Sequence, residues 1–364
     1  MLLYIFVAIV PLFVGALYDG KVERFATADM IGTKKYIRTR RWWLMIAALP
    51  MFALIAFRGP WMGADTGVYI KFFNQMVDTP WDRIFAVNHA GPEFEVGFVI
   101  FEKLMTHLTH NAQVYQVLYT SVYFIAVLNF ACQLEKEGFL FLFFFATLGT
   151  YTFMFTGVRQ CLAMSICLLS YNFVRKRQFV PFALMVILAY SFHNISIIFF
   201  AVYFIYPRKI NAVNGLIYLI IGLIVFLSRD TWQKWFYENF DYYAQTDADG
   251  TGTIFFVVVL AITVFSVFFL VNHHKITEAS QGVVNVGFIT LLFWTLRLFT
   301  KAAGRPSYFF MFFTMATLVY GIDALEEGKE KTTAKALICL LCLALFVYRL
   351  NNSAAALVPY QSFF

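Results

Sequence analysis

Twelve apolar runs follow one another along this chain with almost no charge inside them, and few folds can accommodate that. They are residues 2–17, 42–57, 112–132, 139–155, 161–174, 179–191, 195–206, 212–228, 254–271, 283–298, 307–321 and 336–348. In lipid every backbone N–H and C=O must find an internal partner, so runs of this kind fold as helices packed side by side. Composition agrees. Charged residues make up 13% of the chain, where a soluble domain carries about 25%. The expected fold is an all-α polytopic membrane protein, a single integral membrane domain over residues 1–364. Several runs fall short of the ~20 residues of an untilted span, so their ends draw on flanking residues.

Orientation follows from the basic residues. Lys21, Arg24, Lys34, Lys35, Arg38, Arg40 and Arg41 lie between the first two runs, and Arg175-Lys176-Arg177 and Arg208-Lys209 follow later runs. The positive-inside rule assigns all three groups to the cytoplasmic side. Alternating crossings satisfy this only if 92–110 does not span. That segment holds Glu93, Glu95, Glu102, Lys103, His107 and His110, which suits an interfacial helix. The expectation is about 12 transmembrane helices with both termini outside and outer loops at about 58–111 and 229–252. The first run lacks a basic n-region, and Asp19 and Lys21 stand where a cleavage site would be, so it reads as a retained helix.

Several chemistries find no support. There is no Walker A sequence, Rossmann glycine pattern or HExxH motif. The net charge of +7 is spread over loops, which fits membrane orientation and not nucleic acid. All five cysteines lie in apolar segments, and the Cys339–Cys342 pair has no second ligand pair, so these residues read as helix packing. Gln245-Thr-Asp247-Ala-Asp249-Gly250 imitates half a calcium loop, but Phe256 stands where the acidic ligand belongs. No metal and no cofactor are expected. His273-His274 falls on the inner side and is set aside.

Polar residues that an apolar chain should avoid cluster on the opposite side. Arg58, Asp65, Arg159, Gln160, His193 and Arg305 all face outward in this topology, with Arg297 at the outer end of its run. Ionisable groups at membrane depth are costly unless paired or used. Gly59, Pro60, Gly63 and Gly67 give the Arg58–Tyr69 stretch a turn-rich backbone able to approach a ligand. Asp65 suits a helix N-cap equally well. Arg159-Gln160 suits an anionic, oxygen-rich ligand, since guanidinium matches phosphate bidentately; interfacial snorkelling is the plainer alternative. Arg297 and Arg305, flanking Lys301, would extend such a cradle. His193 reads either as a hydrogen-bonded structural histidine or as a proton carrier for a sugar hydroxyl. Glu93 and Glu95 either form a solvated face or supply a carboxylate that acts as base or orients a sugar.

In chain order, Arg58…Gly63-Ala-Asp65-Thr66…Tyr69, Glu93-Phe-Glu95-Val-Gly97-Phe98, Gly157-Val-Arg159-Gln160…Ala163, Phe192-His193-Asn194-Ile-Ser196 and Arg305…Tyr308 resemble the EpsG family. These are Wzy-like integral membrane proteins of bacterial exopolysaccharide and capsule clusters. The resemblance covers roughly residues 42–312, and Asn194 after the histidine is the one departure noted. It implies polymerisation of undecaprenyl-diphosphate-linked oligosaccharide repeats at the outer face of the cytoplasmic membrane. Donor and acceptor are both lipid-linked, membrane lipids surround the protein, and a flippase and a chain-length regulator are the implied partner proteins.

Charge develops on phosphate oxygens as the glycosidic bond breaks, and preorganised arginines in a dry site stabilise it. Arg159 is the first expectation, with Arg58 and Arg305 supporting. Asp65, Glu93 and His193, in that order, are candidate bases. Tyr69, Glu95, Gln160, Arg297 and Tyr308 complete the implied substrate contacts. Two interfacial stretches and an early acid in the first outer loop are also similar to C-type membrane glycosyltransferases. Outer-loop rings (Trp61, Trp81, Trp232, Trp235, Tyr242, Tyr243) suit sugar stacking or interface anchoring.

Two enzyme rivals share some of these residues: a single-sugar transferase using a polyprenyl-phosphate sugar, and a membrane acyltransferase supported by His193 alone. A lipid-linked sugar flippase should carry charge at both leaflets and repeat halves, and neither is seen.

Overall fold

The computed structural model describes residues 1–25, 30, 33–91, 93–134, 138–239, 250–352 and 357–364. The Asp247 and Asp249 motif and the Tyr242-Tyr243 pair lie outside the described residues. Among those described there is no strand, only an isolated bridge between Arg58 and Ser362. The chain divides into two compact units, one of Met1–Ile197 with Cys339–Phe364 and the other of Ile198–Ile338.

The first unit contains α1 (Leu2–Lys21), α2 (Lys34–Ala56), α3 (Thr66–Asp78), α4 (Ile84–His89) and α5 (Val96–Leu108). It continues with α6 (Ala112–Cys132), α7 (Gly138–Thr147), α8 (Thr150–Phe153), α9 (Val158–Arg175) and α10 (Phe179–Phe192). The second holds α11 (Phe200–Ile205), α12 (Ala212–Leu227), α13 (Arg229–Asn239), α14 (Gly250–Asn272), α15 (Glu278–Arg297) and α16 (Gly304–Asp323). Helix α17 (Lys329–Asn351) begins in the second unit and ends in the first.

This is an all-α membrane protein. Helices α1, α6, α15, α17 and the Gly252–Asn272 part of α14 are each long and apolar enough to cross a bilayer. A sixth is added if α12 and the start of α13, bent by 66°, count as one broken span. The expected runs 42–57, 161–174 and 307–321 fall on α2, α9 and α16, unbroken helices of 23, 18 and 20 residues that are long enough but less apolar. The remaining ones are shorter or interrupted. The 139–155 run splits into α7 and α8 at Gly149, whose φ of +108° is open to glycine at little cost and where a Cβ would meet the Arg349 guanidinium at 2.7 Å. The 195–206 run opens as a 3-10 turn, Asn194–Phe199, before α11.

The 58–111 stretch is mostly helical. Helix α3 buries Thr66, Tyr69, Phe72, Phe73 and Met76, one face at helical spacing. Helix α5 buries Phe98, Val99, Glu102, Lys103 and Thr106. Lys103 Nζ donates to the Met76 carbonyl at 2.9 Å, satisfying an acceptor in the last turn of α3. Glu102 accepts from the Tyr115 hydroxyl of α6, and burial pushes its carboxyl well above the usual range despite that bond.

Arg58 ties this stretch to the bundle. It is fully buried. Its Nη1 donates to Ile55 O at 2.9 Å, its Nη2 to the Tyr119 hydroxyl at 2.8 Å, and its Nε and Nη2 both reach Thr66 Oγ1 at 3.3 Å. The guanidinium also lies 5.5 Å from the Phe155 ring centroid. The C-terminal residues cross the same turn: Gly59 N donates to Gln361 O at 2.8 Å and Phe363 N to Phe57 O at 2.9 Å. Tyr360 and Tyr4 add hydroxyl bonds to Leu54 O and Leu357 O.

Candidate functional site

Three segments far apart in sequence meet at one carboxylate. Glu95 occupies the N-cap position of α5. Arg159 lies in the first turn of α9, where Gly157 ends the preceding turn and backbone N–H groups lack intrahelical partners. His193 is the extended residue that closes α10. Glu95 Oε2 accepts from Arg159 Nη1, and Oε1 lies 3.1 Å from His193 Nδ1 and accepts from the Asn194 N–H at 3.3 Å. Both carboxylate oxygens are therefore engaged.

Arg159 is held from three directions. Its guanidinium stacks over the Phe94 ring at 4.4 Å, and Tyr69 on the buried face of α3 hydrogen-bonds to it. Tyr69 in turn stacks on Phe94, with centroids 5.7 Å apart. The Nε group is buried and has no hydrogen-bond partner among the described residues. The cluster is only partly closed, with side-chain exposures of 23% for Arg159, 21% for Glu95 and 11% for His193.

Burial by itself would raise the Glu95 pKa, but the His193 hydrogen bond and the Arg159 charge hold it at about 2. Glu95 is thus ionised at neutral pH. The Nδ1 of His193 then carries a proton toward the carboxylate, leaving Nε2 as the basic nitrogen. Because the folded-state pKa lies below the ordinary 4.5, this contribution to stability is present above pH 4.5 and lost as pH falls toward 2. Between those limits the unfolding temperature of the wild type in detergent should fall several degrees further than that of Glu95→Gln. Parallel curves would show that Glu95 is not held by its partners.

Other expected site residues take different places. Glu93 is exposed, at φ +48°, with His89 Nδ1 3.7 Å from its carboxylate. Asp65 sits at the N-cap position of α3 without a side-chain cap bond, its carbonyl accepting from Val68 N and Tyr69 N. Arg58 is sealed from solvent with all three nitrogens engaged, so its geometry is that of a joint rather than an open cradle. Gln160 is buried beside Arg159 in α9. Arg297, Arg305 and Tyr308 belong to the second unit. Arg297 ends α15, with Cδ and Nε 3.2 Å from where a Cβ of Gly304 would stand; Arg305 and Tyr308 share the first turns of α16, both half-buried.

Phe94 and the Asn194 N–H were missed from sequence. Both stand inside the segments that carry the family resemblance, Phe94 between Glu93 and Glu95 and Asn194 after His193, but neither side-chain type suggests the contact it makes. Among the described residues no group of three or more His, Cys, Asp or Glu could hold a metal.

Comparison with known families matches residues 41–362 to the model described as the EpsG family. Neither the curated proteins nor the solved structures gave a match. The family match spans nearly the whole chain and includes every residue of the Glu95–Arg159–His193 cluster, so the chain belongs to the EpsG family.

Proposed function

We propose that this protein polymerises oligosaccharide repeats carried on undecaprenyl diphosphate, by glycosyl transfer at the outer face of a bacterial cytoplasmic membrane crossed about twelve times. The family is associated with polysaccharide biosynthesis. The observation that carries the reading is the Glu95 carboxylate shared between Arg159 and His193.

In this reading the acceptor hydroxyl attacks the anomeric carbon of the donor repeat as the bond from that carbon to the diphosphate oxygen breaks. The bonding electron pair leaves on the phosphate, and the hydroxyl proton passes to His193 Nε2. Arg159, fixed by Glu95, Phe94 and Tyr69, faces the developing phosphate charge with N–H groups already oriented. Glu95 fixes the histidine tautomer without taking the proton, the role of the carboxylate in a nucleophile–histidine–acid array. His193 therefore replaces Asp65 and Glu93 as the first candidate base, because it shares a carboxylate with the arginine while Glu93 pairs with His89.

The test is purified full-length protein incubated with its cluster's lipid-linked repeat, with products resolved by size. A ladder without added metal supports the reading. One added sugar from a polyprenyl-phosphate donor would make the protein a single-sugar transferase. With an active control enzyme and folded protein, no product would remove autonomous catalysis. In His193→Gln the ladder should weaken by a factor of about 10²–10⁴, with loss of the acid limb of the pH–rate profile.

A further inference from the structure

Helices α2 and α6 enclose an apolar groove of about 430 Å³. Its walls include Trp42, Met45, Leu49 and Phe52 from α2 and Ile125 and Leu128 from α6. These are not core residues: Trp42 is 59% exposed, Leu49 60% and Ile125 60%. From Trp42 to Phe52 the helix rises ~15 Å at 1.5 Å per residue, and half of a ~30 Å hydrocarbon core is the same depth. The groove is therefore as long as one leaflet, matching the acyl chain of a phospholipid and too short for an undecaprenyl tail.

One end of the groove is basic. Arg38 precedes Trp42 by one turn, and Arg41 precedes Met45 by one turn, so both continue the groove-lining stripe of α2. Both are exposed. Arg41 also reaches the Cys132 thiol, one turn beyond Leu128 on α6. That contact places its guanidinium at the groove's end, where it bridges the two helices. Guanidinium groups match phosphate oxygens bidentately, and basic residues flanking a membrane helix recruit anionic lipids.

We infer that the α2–α6 face is a binding site for an anionic phospholipid, with one acyl chain in the groove and the phosphate on Arg38 and Arg41. The site is separate from the Glu95 cluster and does not depend on the reading of that cluster.

Native mass spectrometry of the full-length protein in detergent tests this, with phosphatidylglycerol and phosphatidylcholine of identical chains as probes. Wild type should retain phosphatidylglycerol preferentially. Arg38→Gln with Arg41→Gln should weaken that binding about 25-fold, roughly fivefold per arginine. Arg208→Gln with Lys209→Gln, an equal loss of charge in the other unit, should leave it unchanged. Ile125→Trp, which fills the groove and leaves the arginines in place, should weaken both lipids. Undiminished phosphatidylglycerol binding in the double arginine variant or in Ile125→Trp would overturn the site. So would its displacement by equimolar undecaprenyl phosphate, which would give the groove to the carrier lipid.

Discussion

Arg159→Ala should reduce polymer formation by at least 10²–10³-fold, the usual effect of removing one preorganised donor from a developing oxyanion. Arg159→Lys should recover little of this loss. Lysine keeps the charge, but it cannot donate to Glu95 and Tyr69 and present a further N–H in one plane. An ammonium also loses the flat stack over Phe94. The deficit should appear in kcat more than in KM, because charge on the leaving phosphate grows only as the bond breaks. Loss of the arginine also leaves Glu95 partly buried with His193 as its remaining ionisable partner. Each variant's unfolding temperature must therefore be measured beside its rate. A double variant, Arg159→Ala with Glu95→Gln, removes the stranded charge and should regain stability without regaining activity. If Arg159→Lys retained activity within tenfold of wild type, the guanidinium would have no special role. If the double variant recovered the rate, Arg159 would be structural.

Chemistry was more legible in this sequence than placement. Charge-poor runs separated by basic loops point to membrane helices wherever the helix carries its own stop signals. Helix α6 matches the expected 112–132 run at both ends, and Asn111 caps it by accepting from Gln113 N and Val114 N. By contrast, a glycine inside an apolar run reads as tolerated, and the guanidinium that leaves no room for a Cβ at the Gly149 break belongs to Arg349, 200 positions further along the chain. Helix lengths are also set by such breaks, so twelve apolar runs do not become twelve full-length helices.

The same distinction runs through the site. Arginine, carboxylate and histidine could be nominated by type, but Glu93 and Glu95 are two residues apart and equivalent on paper. Backbone geometry separates them: Glu93 turns out at φ +48° beside His89, and Glu95 starts α5 facing Arg159. Arg58 shows the same limit from the other side. An arginine after a span suggests a ligand, yet Tyr119, which receives its Nη2 donor, is 61 residues on. Nothing local to Arg58 marks it as sealed. The C-terminal residues that strap its turn carry no pattern at all, because a few backbone hydrogen bonds specify them.

Gly63→Ala should prevent folding or lower stability by more than about 4 kcal/mol, a loss that is exceptional for a single methyl group. Two effects combine. Gly63 lies at φ +84°, where an L-residue pays roughly 1–2 kcal/mol. A Cβ there would also overlap the backbone carbonyl of Phe155, which cannot rotate away like a side chain. That carbonyl accepts the Thr66 hydroxyl at 3.0 Å, and Thr66 in turn accepts from buried Arg58. The close approach at Gly63 is thus what lets Arg58, Thr66 and the turn before α9 share one polar joint. Val158 opens α9 three residues after Phe155, and Arg159 follows. Any shift that relieves the overlap therefore moves the arginine as well. Gly67→Ala is the matched control. Its nearest neighbour would be Trp61 Cζ3 at 3.4 Å, an ordinary contact, and its φ lies outside the left-handed region. It should stay within about 0.5 kcal/mol of wild type and keep activity. Thermal unfolding in detergent, with polymer yield measured on the same samples, separates the two. A stable, active Gly63→Ala would mean that the turn and Phe155 do not meet this closely, and that Arg159 is positioned by Glu95, Phe94 and Tyr69 without this joint.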